Sequence, residues 1–248
     1  MINKKNIEKL VSFLSENKES YFVIGGNAAA IHFENVGLSF RTTEDFDIVL
    51  VTKIDNSDFS NQIGKFLIEG GYENKYRNEK KTAYRFEKPK SPEYPRVIEF
   101  FAKEGEFPES LDKRLAKVDI EVNEEKISAI VLDSDVYEFA KSHVVYDYDL
   151  PIVDIKGLIA LKTLAYFKNL ELYEQKLVDK EDYAKHRKDI FRLLTIVADL
   201  EPLENIPECL KKSLQEFLTI LEKSQDLARS YRAGLEDVVD RYKKIANL

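Results

Sequence analysis

Three features of the sequence predict an α/β domain, with a mixed sheet flanked by helices, followed by a C-terminal helical bundle. The first is the stretch from Tyr21 to Val51. A strand-like Tyr21-Phe22-Val23-Ile24 runs into Gly25-Gly26, then a helix-forming Asn27-Ala28-Ala29-Ala30-Ile31-His32, then a second strand from Asp45 to Val51. The second is a run of further β-rich segments reaching to about residue 150. The third is a change, from about Asp154 onward, to apolar residues at helical spacing alone. The change places a boundary near residues 148–153 and divides the chain into domains 1–150 and 151–248.

Each element has its own signal. Ile7, Leu10, Val11 and Leu14 give Asn3–Asn17 the period of an amphipathic helix that packs on the sheet. Asp58 can cap a helix over Phe59–Glu69, with Ile63, Phe66 and Leu67 inward, and Gly70-Gly71 ends it. Tyr72–Tyr76, Thr82–Phe86 and Arg96–Ala102 read as strands. Pro89, Pro92 and Pro95 force an irregular loop between the last two. Glu106–Ile130 is polar and mixed, with a hairpin expected from Val118–Val122 and Lys126–Leu132. Val136–Ser142 is a short helix, and Val144–Asp149 is strand-like up to Pro151. In the second half, Ile155 to Phe167 is strongly apolar, with Lys156, Lys162 and Lys168 along it. Further helices are expected over Lys180–Leu200, Pro207–Leu221 and Ser224–Ala246.

Composition narrows the function. The 248 residues are 44% hydrophobic and 33% charged, enough for a core and a soluble surface. A net charge of −7 is not that of a chain holding long nucleic acid by electrostatics alone, though it leaves room for a local basic pocket. One cysteine, Cys209, rules out an internal disulfide and a cysteine-based zinc site, and His32, His143 and His186 are scattered. No apolar run is long enough to cross a membrane, and the N-terminus has no hydrophobic signal core, so a cytoplasmic protein is expected.

The chemistry points to the first stretch. Strand side chains alternate, so Asp45 and Asp47 share a face, where two carboxylates repel unless a cation sits between them. Hard oxygen ligands suit Mg²⁺ (or Mn²⁺), completed by substrate phosphates. Gly25 and Gly26 let backbone N–H groups approach a phosphate at the start of the next helix. Glu99 lies on the face of Val97 and Phe101 in an otherwise apolar strand, where a glutamate needs a partner. The plain alternatives are a solvated strand end for the aspartates, an ordinary turn for the glycines, and a sheet edge for Glu99. On the second half, Asp189 can pair with Lys185 or Arg192 on its own helix.

Gly25-Gly26-Asn27-Ala28 followed by Arg41-Thr42-Thr43-Glu44-Asp45-Phe46-Asp47 resembles the signature of polymerase β-type nucleotidyltransferases, in the form found in AbiEii-like toxins. The likeness continues in Leu158-Ile159-Ala160-Leu161-Lys162 and Arg187-Lys188-Asp189, and spans most of Tyr21 to about Leu200. It implies a nucleotidyltransferase fold and metal-dependent transfer of a nucleoside monophosphate from an NTP to an acceptor hydroxyl. Asp45, Asp47 and Glu99 would be the catalytic, metal-binding acids. Gly25, Gly26, Asn27, Thr43, Lys162 and Asp189 would bind nucleotide; the plain alternative for Arg41 and Thr43 is a pair of loop residues that brace Asp45. The likeness also implies a toxin with an antitoxin partner and an acceptor such as tRNA or protein. An aminoglycoside-type adenylyltransferase uses the same catalytic half. A catalytically silent nucleotide- or partner-binding module is the reading from another class.

Overall fold

Two neighbouring strands and the helix between them form the frame of the first half. β1 (Tyr21–Ile24) enters α2 (Gly25–Asn35), and β2 (Asp45–Leu50) returns antiparallel beside β1, with Ile24 opposite Asp47. The computed structural model describes residues 4–51, 57–76, 83–105, 115–122 and 125–248. Before this frame, α1 (Lys4–Leu14) buries Ile7, Leu10 and Leu14 along one stripe. It lies beside α3 (Ser57–Gly70), with Phe13 edge-on to Phe66 at 5.1 Å.

α3 ends as the glycines predict. Gly71 takes φ +62°, its N–H bonds the carbonyl of Ile68, and the N–H of Tyr72 bonds that of Leu67. The remaining strands of this half are β3 (Glu73–Tyr76), β4 (Ala83–Glu87), β5 (Val97–Lys103), β6 (Leu115–Val122), β7 (Glu125–Leu132), β8 (Val144–Asp147) and β9 (Leu150–Val153). α4 (Ser134–Ser142) precedes β8, capped by Asp133, which accepts from the N–H groups of Asp135 and Val136. Thr82 of the expected fourth strand, and residues 106–114 and 123–124 of the polar stretch from Glu106, lie outside the described residues.

Among the described residues the strands make a nine-stranded mixed sheet, seven of them in the order β3-β4-β5-β2-β1-β9-β8, with β7 beside β5 and β6 beside β7 off that path. β5 runs parallel to β2 on one side. On the other side it is shared, with β4 antiparallel along Val97–Glu99 and β7 parallel along Phe101–Lys103. β2 is therefore central, and Phe46, Ile48, Val49 and Leu50 are all buried. Pro151 falls inside a strand rather than ending one. Tyr148 and Asp149 take φ +48° and +60°, a two-residue hairpin turn that folds β9 back on β8. Asp147 opposite Leu150 closes that turn, so Tyr146 faces Pro151 at a position whose N–H the β8 ladder does not use.

Contacts divide the chain into two compact units, Met1–Val153 and Asp154–Leu248. The second is all helix. α5 (Ile155–Glu174) starts at Asp154, whose carboxylate accepts from the Gly157 N–H at 2.7 Å. α6 (Lys180–Ile196) stops short of Leu200, and the freed carbonyl of Val197 accepts from Arg241 at 2.9 Å. α7 (Glu208–Glu222) follows. The single helix expected over Ser224–Ala246 is two, α8 (Gln225–Tyr231) and α9 (Leu235–Ala246). Arg232 turns left-handed and Gly234, a poor helix former, caps the start of α9. Ile159, Phe191, Leu194, Leu214, Phe217 and Tyr242 fill the core of this unit.

Candidate active site

The site is built where β1 ends and β2 and β5 begin. Asp45 and Asp47 alternate with buried Phe46, so both point to the same face of the sheet. Asp47 is paired in parallel register with Glu99, which adds the third acid to that face. The strand order thus assembles Asp45, Asp47 and Glu99 from two neighbouring strands.

Gly25 and Gly26 open α2 directly against these residues. Gly25 sits at φ +75°, and a Cβ built on it would fall 1.8 Å from Oδ2 of Asp47. A Cβ on Gly26 would fall 2.3 Å from the Thr43 hydroxyl oxygen. The glycines are required because Asp47 and Thr43 occupy the space where side chains would be. The start of α2 has no side-chain cap. Asn27 is buried and donates to the backbone carbonyl of Asp45 at 2.7 Å, tying the helix start to the acid strand. Arg41, on the plain reading a brace for Asp45, stands over the Phe40 ring at 5.5 Å and is within reach of the Thr42 carbonyl.

Arg85 is the residue the sequence reading did not single out. It lies on β4 opposite Glu99, donates to Glu99 Oε1 at 2.6 Å and to Glu87 Oε1 at 2.7 Å, and approaches Asp45 Oδ1 at 3.4 Å. Partial burial works against its charge. The hydrogen bonds to Glu99 and Glu87 and the nearby carboxylates outweigh that, and hold its pKa above the ordinary arginine value. Among the described residues, no group of three or more acidic, histidine or cysteine side chains is arranged to hold a metal ion. Asp45 and Asp47 are hard-oxygen donors on one face and fit a divalent cation. Glu99 is partly exposed, and the cation it meets is an arginine rather than a lysine.

A cleft of about 500 Å³ opens at the same end of the sheet, lined by Asn27, Thr43, Phe46, Lys88 and Arg96 among others. Phe46 alternates with the two aspartates, so this cleft is on the other side of β2 from the carboxylates. Of the cations lining it, Lys88 pairs with Glu73 at 2.7 Å and Arg96 with Glu44, and Lys90 lines it as well.

In the second unit, Lys162 and Asp189 form one buried pair. Lys162 Nζ donates to Asp189 Oδ2 at 2.8 Å, with Asp189 wholly buried. Asp189 thus has a partner on the neighbouring helix. A buried carboxylate and ammonium persist only as a pair, and the helix-to-helix contact of α5 and α6 supplies it. Nearby on α6, Arg187 forks onto the Ser224 hydroxyl and Asp226.

A mixed sheet with a glycine-led helix start packed against paired aspartates defines a nucleotidyltransferase-type fold. The model of one family, "Nucleotidyl transferase AbiEii toxin, Type IV TA system", matches residues 12–242. The chain belongs to that family. Among solved structures it is similar to the antibiotic-resistance factor ANT(2'')-Ia, at 13% identity and TM-score 0.42, over 90% of this chain and 97% of that one. It is similar also to JHP933 from Helicobacter pylori, at 14% identity and TM-score 0.40, over 98% of this chain and 88% of that one. No curated protein matches the chain. Among the described residues, no helix is long and apolar enough to cross a membrane.

Proposed function

We propose that the chain transfers a nucleoside monophosphate from an NTP to an acceptor hydroxyl, and acts as the cytoplasmic toxin of a toxin–antitoxin pair. The observation that carries this reading is the packing of Gly25 against Asp47. It sets a helix start and a carboxylate side by side, which supports binding of an NTP phosphate and its cation there. Asp45 and Asp47 would hold Mg²⁺ or Mn²⁺, which when bound supplies neutralisation of the triphosphate charge.

The other roles follow from chemistry. The N–H groups of Gly25, Gly26 and Asn27 would bind phosphate oxygens, with the Thr43 hydroxyl as a further donor. The acceptor oxygen attacks the α-phosphorus, a new P–O bond forms, the bridging bond to the β-phosphate breaks, and pyrophosphate leaves. Glu99 is the third acid and the natural group to take the acceptor proton. Arg85 holds Glu99 in place. Lys162, paired with Asp189, is proposed as a nucleotide-binding cation from the helical half. The proposed acceptor is an RNA end, tRNA above all, or a protein, and the proposed partner is an antitoxin protein.

The test incubates the full chain with each α-phosphate-labelled NTP, Mg²⁺ and total cell RNA and protein, beside an Asp45→Ala/Asp47→Ala control. Label on tRNA or protein that vanishes in the control supports the transferase and names nucleotide and acceptor. Absence of both labelling and Mg²⁺-dependent nucleotide binding would overturn it. For the toxin role, expression alone should arrest growth, and the Asp47→Ala form should not.

A further inference from the structure

The Arg85 guanidinium does more than a single ion pair requires. Each of its nitrogens meets a different carboxylate: Nε donates to Glu87 Oε1 at 2.7 Å, Nη1 to Glu99 Oε1 at 2.6 Å, and Nη2 to Asp45 Oδ1 at 3.4 Å. Those acids stand on neighbouring strands. Arg85 lies opposite Glu99, and Val97 lies between Glu87 on β4 and Asp45 on β2. The fork therefore crosses β5 beside the buried Val97 and spans the acid face. The side chains of Glu99, Glu87 and Arg85 are 19%, 23% and 26% exposed, against 43% for Asp45. The clasp is closed at Glu99 and open at Asp45, so a cation arriving from solvent reaches the aspartates first.

Three acids on one face suit a pair of cations. In a two-metal site the ions lie about 3.5–4 Å apart and share carboxylates. Here the second place is taken. A Mg²⁺ shared by Glu99 Oε1 and Asp45 Oδ1 would lie about 2.1 Å from each. That is ground which Nη1 and Nη2 already hold. A guanidinium stays charged at any working pH and has no lone pair to give a metal, so it excludes the ion rather than joining it. We propose that Arg85 stands in for a second divalent cation: the site takes one cation, on Asp45 and Asp47, and Glu99 ligates none. The inference rests on the transfer reading above and narrows it. Arg85 is a positioning residue, holding Glu99 off the metal and supplying one fixed positive charge to the acid face.

The test uses the full chain, with Mn²⁺ as the probe. Equilibrium dialysis should give one Mn²⁺ per chain, lost in the Asp45→Ala/Asp47→Ala control. Electron paramagnetic resonance of frozen samples holding a non-hydrolysable analogue of each NTP should then show magnetically isolated Mn²⁺ in the wild-type chain. Arg85→Gln opens the second place, so its spectrum should become that of a coupled pair about 4 Å apart, with an unchanged circular dichroism spectrum. Arg85→Lys keeps the charge on a single ammonium that cannot hold all three acids, and gives the same coupled pair where Arg85→Gln does not fold. Two ions per chain or a coupled pair in the wild-type chain overturns the inference and leaves the transfer reading standing. Isolated Mn²⁺ in both Arg85 variants does the same. A chain that takes up no Mn²⁺, with or without analogue, overturns the inference and the transfer reading together.

Discussion

Gly25 answers two demands with one atom missing: a left-handed backbone and the room that Asp47 takes up. Gly25→Ala should cost about 1–2 kcal/mol in stability from the backbone alone. Transfer should fall much further than stability, because the added methyl turns the Asp47 carboxylate away; melting and labelling measured together separate the two. Arg85 balances acids that a cation would also balance. Arg85→Gln should therefore lower the melting temperature without Mg²⁺ and enlarge the rise that Mg²⁺ produces. The Lys162–Asp189 pair makes a sharper forecast. Lys162→Met or Asp189→Leu alone should each cost about 3–5 kcal/mol by stranding a buried charge, and the double variant should recover most of it, as read in urea unfolding. The aspartates were legible because period-two spacing inside an apolar strand is a local pattern. Arg85 was not, because the register of β4 on β5 is decided across a proline-rich loop that gives no spacing to count. Asp189 was legible as a site candidate, but its partner lies 27 residues away on another helix, beyond any local rule.

At the level of elements, caps and periods carried most of the reading. Asp154 before an apolar helical run marks the start of α5, and Asp154→Ala should destabilise the protein by about 1 kcal/mol, measurable as a shift in the urea midpoint. Glycines 70 and 71 mark the end of α3, where the left-handed turn stands. Two elements were misread. Pro151 suggests a strand's end, but a proline is harmless where the neighbouring ladder does not call on its N–H, and that depends on a hairpin two residues away. The break before α9 was written in Gly234 but overshadowed by apolar spacing that continues through it. The α6–α8 contact gives a pH forecast. Partial burial tends to raise the Asp226 pKa, but the Arg187 fork outweighs it and holds it below the usual carboxylate range. A depressed folded pKa stabilises above the unfolded value, about 3.9, and that stability is lost as pH falls through the folded pKa. Carboxylate NMR titration of an Arg187→Gln variant should return Asp226 to the ordinary range.

For the whole molecule, charge sets a limit on how an acceptor is held. With a net charge of −7, the chain should not retain bulk RNA at physiological salt in a gel-shift assay, so capture of an RNA acceptor must rest on local contacts. The division into a mixed-sheet unit and a helical unit was visible as a change of periodicity, since a chain that stops alternating and keeps only helical spacing has left its sheet. The order of strands was not visible, because sequence neighbours such as β4 and β5 pair while β1 and β9 meet across most of the first unit. The divided edge of β5 carries a dynamic consequence. Releasing β4 together with β3 breaks only the ladder with Val97–Glu99, and the pairing of β7 with Phe101–Lys103 stays closed. The Arg85 end of the acid cluster can thus breathe on its own. Deuterium uptake along this one seam should rise early at Arg85 and Phe86 and late at Ile130 and Val131, two clocks on a single strand.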